Sequence, residues 1–145
     1  MVSKTLFTSN SDEWATPQEL FDSLNAEFRF NLDACATSEN HKTEDYFTQA
    51  ENGLIQSWGG RRVFCNPPYS KIKDWVKKAY YESFTPNTLI VLLIPARTDT
   101  QYFQEYIYHR AEIRFISGRL KFGNAKYNAP FPIMLVIYRA GGLKE

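Results

Sequence analysis

The chain has 145 residues, 43% hydrophobic and 16% aromatic, with 17 basic and 16 acidic side chains and a formal charge of +1. That length implies one domain with a real core, and the charge balance excludes both a uniformly basic nucleic-acid coat and an acidic disordered chain. Cys35 and Cys65 form no CxxC pair and show no zinc-ligand spacing with His41 and His109, so no metal site is expected. Residues 1–12 are polar and are expected to be loose, ahead of a domain over 13–140 and a short tail, 141–145. Thr16 and Pro17 suit the N-cap and first position of a helix, which Leu20, Phe21, Leu24 and Phe28 continue at helical spacing to about Glu27. Phe30 to Asp33 reads as a short strand, and the polar stretch 36–58 carries an Asn52-Gly53 turn signal. Arg62 to Cys65 is a second strand, and Ile72 to Phe84 a helix with Trp75, Val76, Ala79 and Tyr80 inward. Thr88 to Ile94 is apolar on both faces and therefore central, and Pro95 ends it. A helix from about Thr100 to His109, a strand from Glu112 to Ile116, a Gly-, Asn- and Lys-rich loop at 117–130 with a flexible part from Gly118 to Asn128, and a closing strand from Ile133 to Tyr138 complete the order.

Strands alternating with helices predict an α/β domain with a mostly parallel, twisted sheet. Ligands in such sheets bind beyond the carboxyl ends of the strands. Three polar or rigid clusters fall there: Asp33-Ala34-Cys35-Ala36, Asn66-Pro67-Pro68-Tyr69 and Pro95-Ala96-Arg97. No apolar run nears the roughly 20 residues of a membrane span. The amino terminus also lacks the apolar centre of a signal peptide, so a soluble protein of a reducing cytoplasm, without a membrane partner, is expected.

The second cluster carries the most chemistry. Two prolines freeze the backbone and cannot extend a sheet ladder. The Asn66 side-chain oxygen and the Pro67 carbonyl are acceptors held in fixed directions. Tyr69 adds a flat face suited to stacking on a planar ring. An amino group on a flat ring describes a nucleobase, adenine above all.

Asn66-Pro67-Pro68-Tyr69 resembles the (D/N)PP(Y/F/W) motif of S-adenosylmethionine-dependent amino-methyltransferases. Three further stretches extend the likeness. Trp14-Ala15-Thr16-Pro17 resembles the helix start that lies beside the cofactor. Asn31-Leu32-Asp33-Ala34-Cys35-Ala36 resembles the first cofactor motif, with a strand, an acid and small residues. Leu92 to Arg97 and Phe115 to Phe122 resemble later elements bordering the site. From about residue 12 to 138 the chain is similar to phage-encoded DNA N6-adenine methyltransferases. The resemblance implies a reduced, single-domain Rossmann-like methyltransferase fold and S-adenosylmethionine as cofactor. It implies double-stranded DNA as partner, with the target base flipped out of the helix. It makes Asn66, Pro67, Pro68 and Tyr69 the catalytic residues, and Trp14, Thr16, Pro17, Asp33, Ala34, Cys35, Ala36 and Asn66 the cofactor's neighbours. Because relatives carry Asp at the motif's first position, Asn66→Asp is expected to keep substantial activity.

The chain departs from broader relatives in lacking a glycine-rich loop after the first strand; Ala36 and Thr37 stand there. No acid ends an obvious second strand to hold the ribose, for which Glu44 and Asp45 are the nearest choices. Arg110, Arg114, Arg119, Lys121 and Lys126 face only Glu112 in their segment. With Arg97, the residues Arg119, Lys121 and Lys126 are the candidate DNA contacts. The motif alone also fits amino-methyl transfer to RNA or to a protein glutamine, or a non-catalytic DNA- or partner-binding remnant of the fold.

Overall fold

The computed structural model describes residues 14–123 and 125–140, so the segment expected to be loose, 1–12, and the tail, 141–145, lie outside the described residues. The strands are β1 (Leu32–Asp33), β2 (Arg62–Cys65), β3 (Leu89–Pro95), β4 (Glu112–Phe115) and β5 (Ile133–Arg139). Among the described residues the two α-helices are α1 (Gln18–Phe28) and α2 (Ile72–Glu82). The sheet runs β1-β2-β3-β5-β4. The pairs β1–β2 and β2–β3 are parallel, whereas β5 is antiparallel to both β3 and β4. Among the described strands, four therefore point one way and only β5 is reversed. The connection from β4 to β5 contains no helix among its described residues, and without a crossover helix the next strand returns antiparallel.

Alternation along β3 builds the two cores. Ile90, Leu92 and Ile94 meet Val63, Cys65, Trp75, Val76 and Met134 on the α2 side. Leu89, Val91 and Leu93 meet Phe21, Leu24, Phe28, Phe64 and Leu135 on the α1 side. All seven β3 residues are buried, as a central strand demands. Phe21, Leu24 and Phe28 form the buried face of α1, which ends in a left-handed Arg29 at φ 54. Arg62 Nε then donates to the freed carbonyl of Arg29 at 3.2 Å.

Three local expectations change. Pro17, not Thr16, occupies the N-cap of α1, and no side chain caps the helix. The helix expected over 100–109 covers only 101–107. Its end, Phe103–Ile107, is a π-helical turn closed by Tyr108 N–H on the Phe103 carbonyl at 2.8 Å. The widened turn keeps Phe103 and Ile107 in the core and presents the Tyr106 carbonyl to the Tyr138 hydroxyl. The 117–130 loop is not a loose connection. Phe122 and Ala129 are 1% exposed, because they close the α1-side core. Gly123 N–H donates to the Ala15 carbonyl at 2.8 Å and Ala129 N–H to that of Leu120 at 2.7 Å. Among the described residues, no helix is long and apolar enough to cross a membrane, and no His, Cys, Asp and Glu group could hold a metal.

Candidate active site

The carboxyl ends of β1, β2 and β3 lie side by side, and β2 runs into Asn66. Pro67 is buried, and Pro68 starts a 3-10 turn over Tyr69–Lys71 that leads into α2. The Asn66 amide nitrogen donates to the Trp14 carbonyl and to Thr16 Oγ1. Its oxygen, Oδ1, is buried with no hydrogen-bond partner among the described residues. Buried polar atoms are nearly always paired, so an orphan at a strand end points to a donor supplied from outside.

Four aromatic rings wall this corner. Tyr69 stacks on Trp14 with centroids 6.0 Å apart and 21° between planes. Phe131 meets Tyr69 edge-on at 5.5 Å, and Phe122 lies 5.2 Å from Trp14. Arg97, beyond the end of β3, lies over the Phe131 ring at 5.6 Å. Its charge faces both Tyr69 and Tyr102. Both tyrosine hydroxyls are buried and unpaired among the described residues, and burial raises both pKa values. The structure thus gathers Trp14, Thr16, Asn66, Tyr69 and Arg97 around one corner. The sequence reading missed Phe122, Phe131 and Tyr102. The alternation of Leu120 and Phe122 inside an otherwise polar loop was the available signal for an inward-facing edge.

On the neighbouring strand, Asp33 is only 3% exposed. Its Oδ2 accepts from the Lys42 backbone N–H at 3.0 Å, while Oδ1 has no partner among the described residues. Burial pushes its pKa up to about 6. Ala34 and Ala36 are buried and Cys35 half-buried, so the loop is small-residued although it lacks glycines. A glycine packs against it from elsewhere. A Cβ on Gly53 would stand 2.2 Å from the Ala34 carbonyl oxygen. Beyond Asp33, Tyr46 adds a single parallel bridge to the sheet edge. Asp45 pairs with Arg61 at 2.8 Å, which engages the carboxylate considered for the ribose.

This constellation is matched by known proteins. A family model described as DNA N-6-adenine-methyltransferase (Dam) covers residues 3–139. The chain belongs to that family. It is 34% identical over 119 residues to a DNA N-6-adenine-methyltransferase of Haemophilus phage HP1 (strain HP1c1), which spans 80% of this chain and 69% of the relative. A protein of the same description from Escherichia phage T1 is 38% identical over 111 residues, 75% of this chain and 46% of the relative.

Within this Dam-family chain the basic residues divide into two groups. Arg114 is engaged by Glu27 at 2.6 Å and by Glu112 at 2.7 Å, tying α1 to β4. Arg110 donates to the Glu105 carbonyl and lies over the Tyr80 ring. Arg119, Lys121 and Lys126 are exposed on the 117–130 loop and, among the described residues, form no ion pair. Phe122, between them, reaches into the aromatic wall.

Proposed function

We propose that this chain transfers a methyl group from S-adenosylmethionine to the N6 amino group of adenine in double-stranded DNA, with the base turned out into the corner at Asn66-Pro67-Pro68-Tyr69. The observation that carries the reading is Asn66 Oδ1, a buried acceptor without a partner whose amide nitrogen is already engaged. Membership in the family fixes the target chemistry.

Asp33, with Ala34, Cys35 and Ala36 behind it, would hold the cofactor, and Trp14, Thr16 and Pro17 would border it. The fit rests on Asp33 Oδ1, a buried carboxylate oxygen lacking a partner, which suits a cationic amino-acid end. When bound, S-adenosylmethionine supplies an electrophilic methyl group on its sulfonium. The adenine amine is a poor nucleophile because its lone pair is delocalised into the ring. Asn66 Oδ1 and the Pro67 carbonyl accept its two hydrogens and favour a more tetrahedral nitrogen with a localised pair. No strong base is required before attack, since the nitrogen sheds a proton only as it gains the methyl. Tyr69 holds the base, and Arg97, Arg119, Lys121 and Lys126 bind DNA. Positioning and fixed dipoles supply most of the acceleration.

The test is incubation with methyl-labelled S-adenosylmethionine and a defined duplex, followed by nucleoside analysis. Label in N6-methyladenine is expected; a duplex left unlabelled, or labelled in another nucleoside, by folded protein that binds the cofactor would refute the reading. Asn66→Ala should slow single-turnover methylation roughly a hundredfold to a thousandfold with little change in cofactor binding.

A further inference from the structure

Asn66 is held by a distant part of the chain. Its amide nitrogen carries two hydrogens and meets two acceptors, the Trp14 carbonyl and Thr16 Oγ1, the latter at 2.9 Å. A carbonyl has no proton to give, so only the nitrogen end of the amide can face Trp14, and Oδ1 is turned the other way. Thr16 is 7% exposed and directly precedes the N-cap Pro17, yet its hydroxyl does not cap α1. The side chain that local rules assign to the helix is spent on the amide instead.

We propose that Thr16 is a positioning residue for methyl transfer, fixing the Asn66 amide so that Oδ1 is presented to the target amine. This rests on the amine-holding role given to Asn66 above. The same geometry determines which residue the corner accepts. Asn66→Asp sets a carboxylate oxygen against the Trp14 carbonyl, two acceptors with no proton between them at a partly buried site. For this chain the geometry argues against the expectation drawn from the motif, that Asn66→Asp keeps substantial activity.

The experiment combines single-turnover methylation of an adenine-containing duplex with calorimetric binding of S-adenosylmethionine and thermal unfolding. Thr16→Val keeps the shape and removes the acceptor; Thr16→Ser keeps the acceptor. Thr16→Val is expected to slow methylation roughly tenfold to a hundredfold, with cofactor affinity within about threefold of wild type on the same argument. Thr16→Ser should recover most of the rate. Should the valine variant not fold, Thr16→Ala carries the same comparison. In an Asn66→Ala background, Thr16→Val should slow methylation no further, because a residue whose effect on the rate runs through Asn66 has nothing left to position. An equal loss in both backgrounds, or weakened cofactor binding at an unchanged rate, would overturn the proposal. Wild-type methylation by Asn66→Ala alone would instead overturn the role of the corner, and this inference with it.

Discussion

Asp33 is the residue at which stability and ligand binding oppose each other. Burial raises its pKa from 3.8 to about 6, against the smaller lowering from its hydrogen bonds and from Lys42 and His41. The native protein therefore keeps this proton up to about pH 6, whereas the unfolded chain releases it near 3.8. The group favours folding below the unfolded value, and that contribution is lost as pH rises towards 6. Above it, the ionised, half-paired carboxylate costs the fold on the order of 3 kcal/mol. Asn at this position carries no such cost. Asp33→Asn is thus expected to raise the thermal midpoint of the ligand-free protein at pH 8 while weakening S-adenosylmethionine binding by roughly tenfold or more. Wild-type affinity should also fall as pH drops through about 6. Calorimetry and unfolding curves at pH 5 and pH 8 check both statements; unchanged affinity in the variant would remove the cofactor from Asp33.

Two loops carry what the strands cannot. The 117–130 loop is pinned by Phe122 and by the Gly123–Ala15 hydrogen bond, so its exposed cations are displayed from a fixed base. Replacing Arg119 and Lys121 with Ala should weaken DNA binding and lower the slope of log affinity against log salt by about one for each charge removed. A slope identical to wild type would place the DNA face elsewhere. Under the Ala34–Ala36 loop after β1, Gly53 is buried and its carbonyl accepts from Trp58 Nε1 at 3.0 Å. Gly53→Ala forces backbone to move, since the atom in the way is the Ala34 carbonyl rather than a flexible side chain. Loss of roughly 1–3 kcal/mol of stability is expected, together with weaker cofactor binding; a wild-type denaturation midpoint would contradict this packing. The sequence marks Asn52-Gly53 as a turn. Its role as a floor for the Asp33 loop depends on contacts between segments far apart in the chain, which no local pattern encodes.

At the scale of the whole molecule, the parallel half of the sheet and the two-sided burial of β3 were readable from apolar runs broken by polar corners. Asn66-Pro67-Pro68-Tyr69 was readable for the same reason, as rigid residues ending a buried strand. The reversed β5 was not, because the alternation of strands and helices says nothing about direction where a helix is missing. Nor was the partner of Asn66. Thr16 belongs to a residue type with a strong local preference for capping, and only the folded chain shows a tertiary contact overriding it. Within the basic segment, Arg114 was left out of the candidate DNA contacts, but its partner was not legible: Glu27 engages it from α1, 87 positions away in the chain.

The stacking of Trp14 on Tyr69 gives this protein a built-in optical reporter. Trp58 and Trp75 are buried together on the α2 side of the sheet, and their emission should be blue and insensitive to DNA. Trp14 is the half-buried one of the three, and it sits against the ring that is to receive the base. A purine entering beside Tyr69 should quench or shift the indole emission, so base extrusion becomes visible by stopped flow without a fluorescent nucleotide. Asn66 bonds the backbone carbonyl of Trp14, not its ring, so Trp14→Phe should silence the signal and leave the amide contact in place. A fluorescence change that persists in Trp14→Phe would mean that the light comes from elsewhere in the fold.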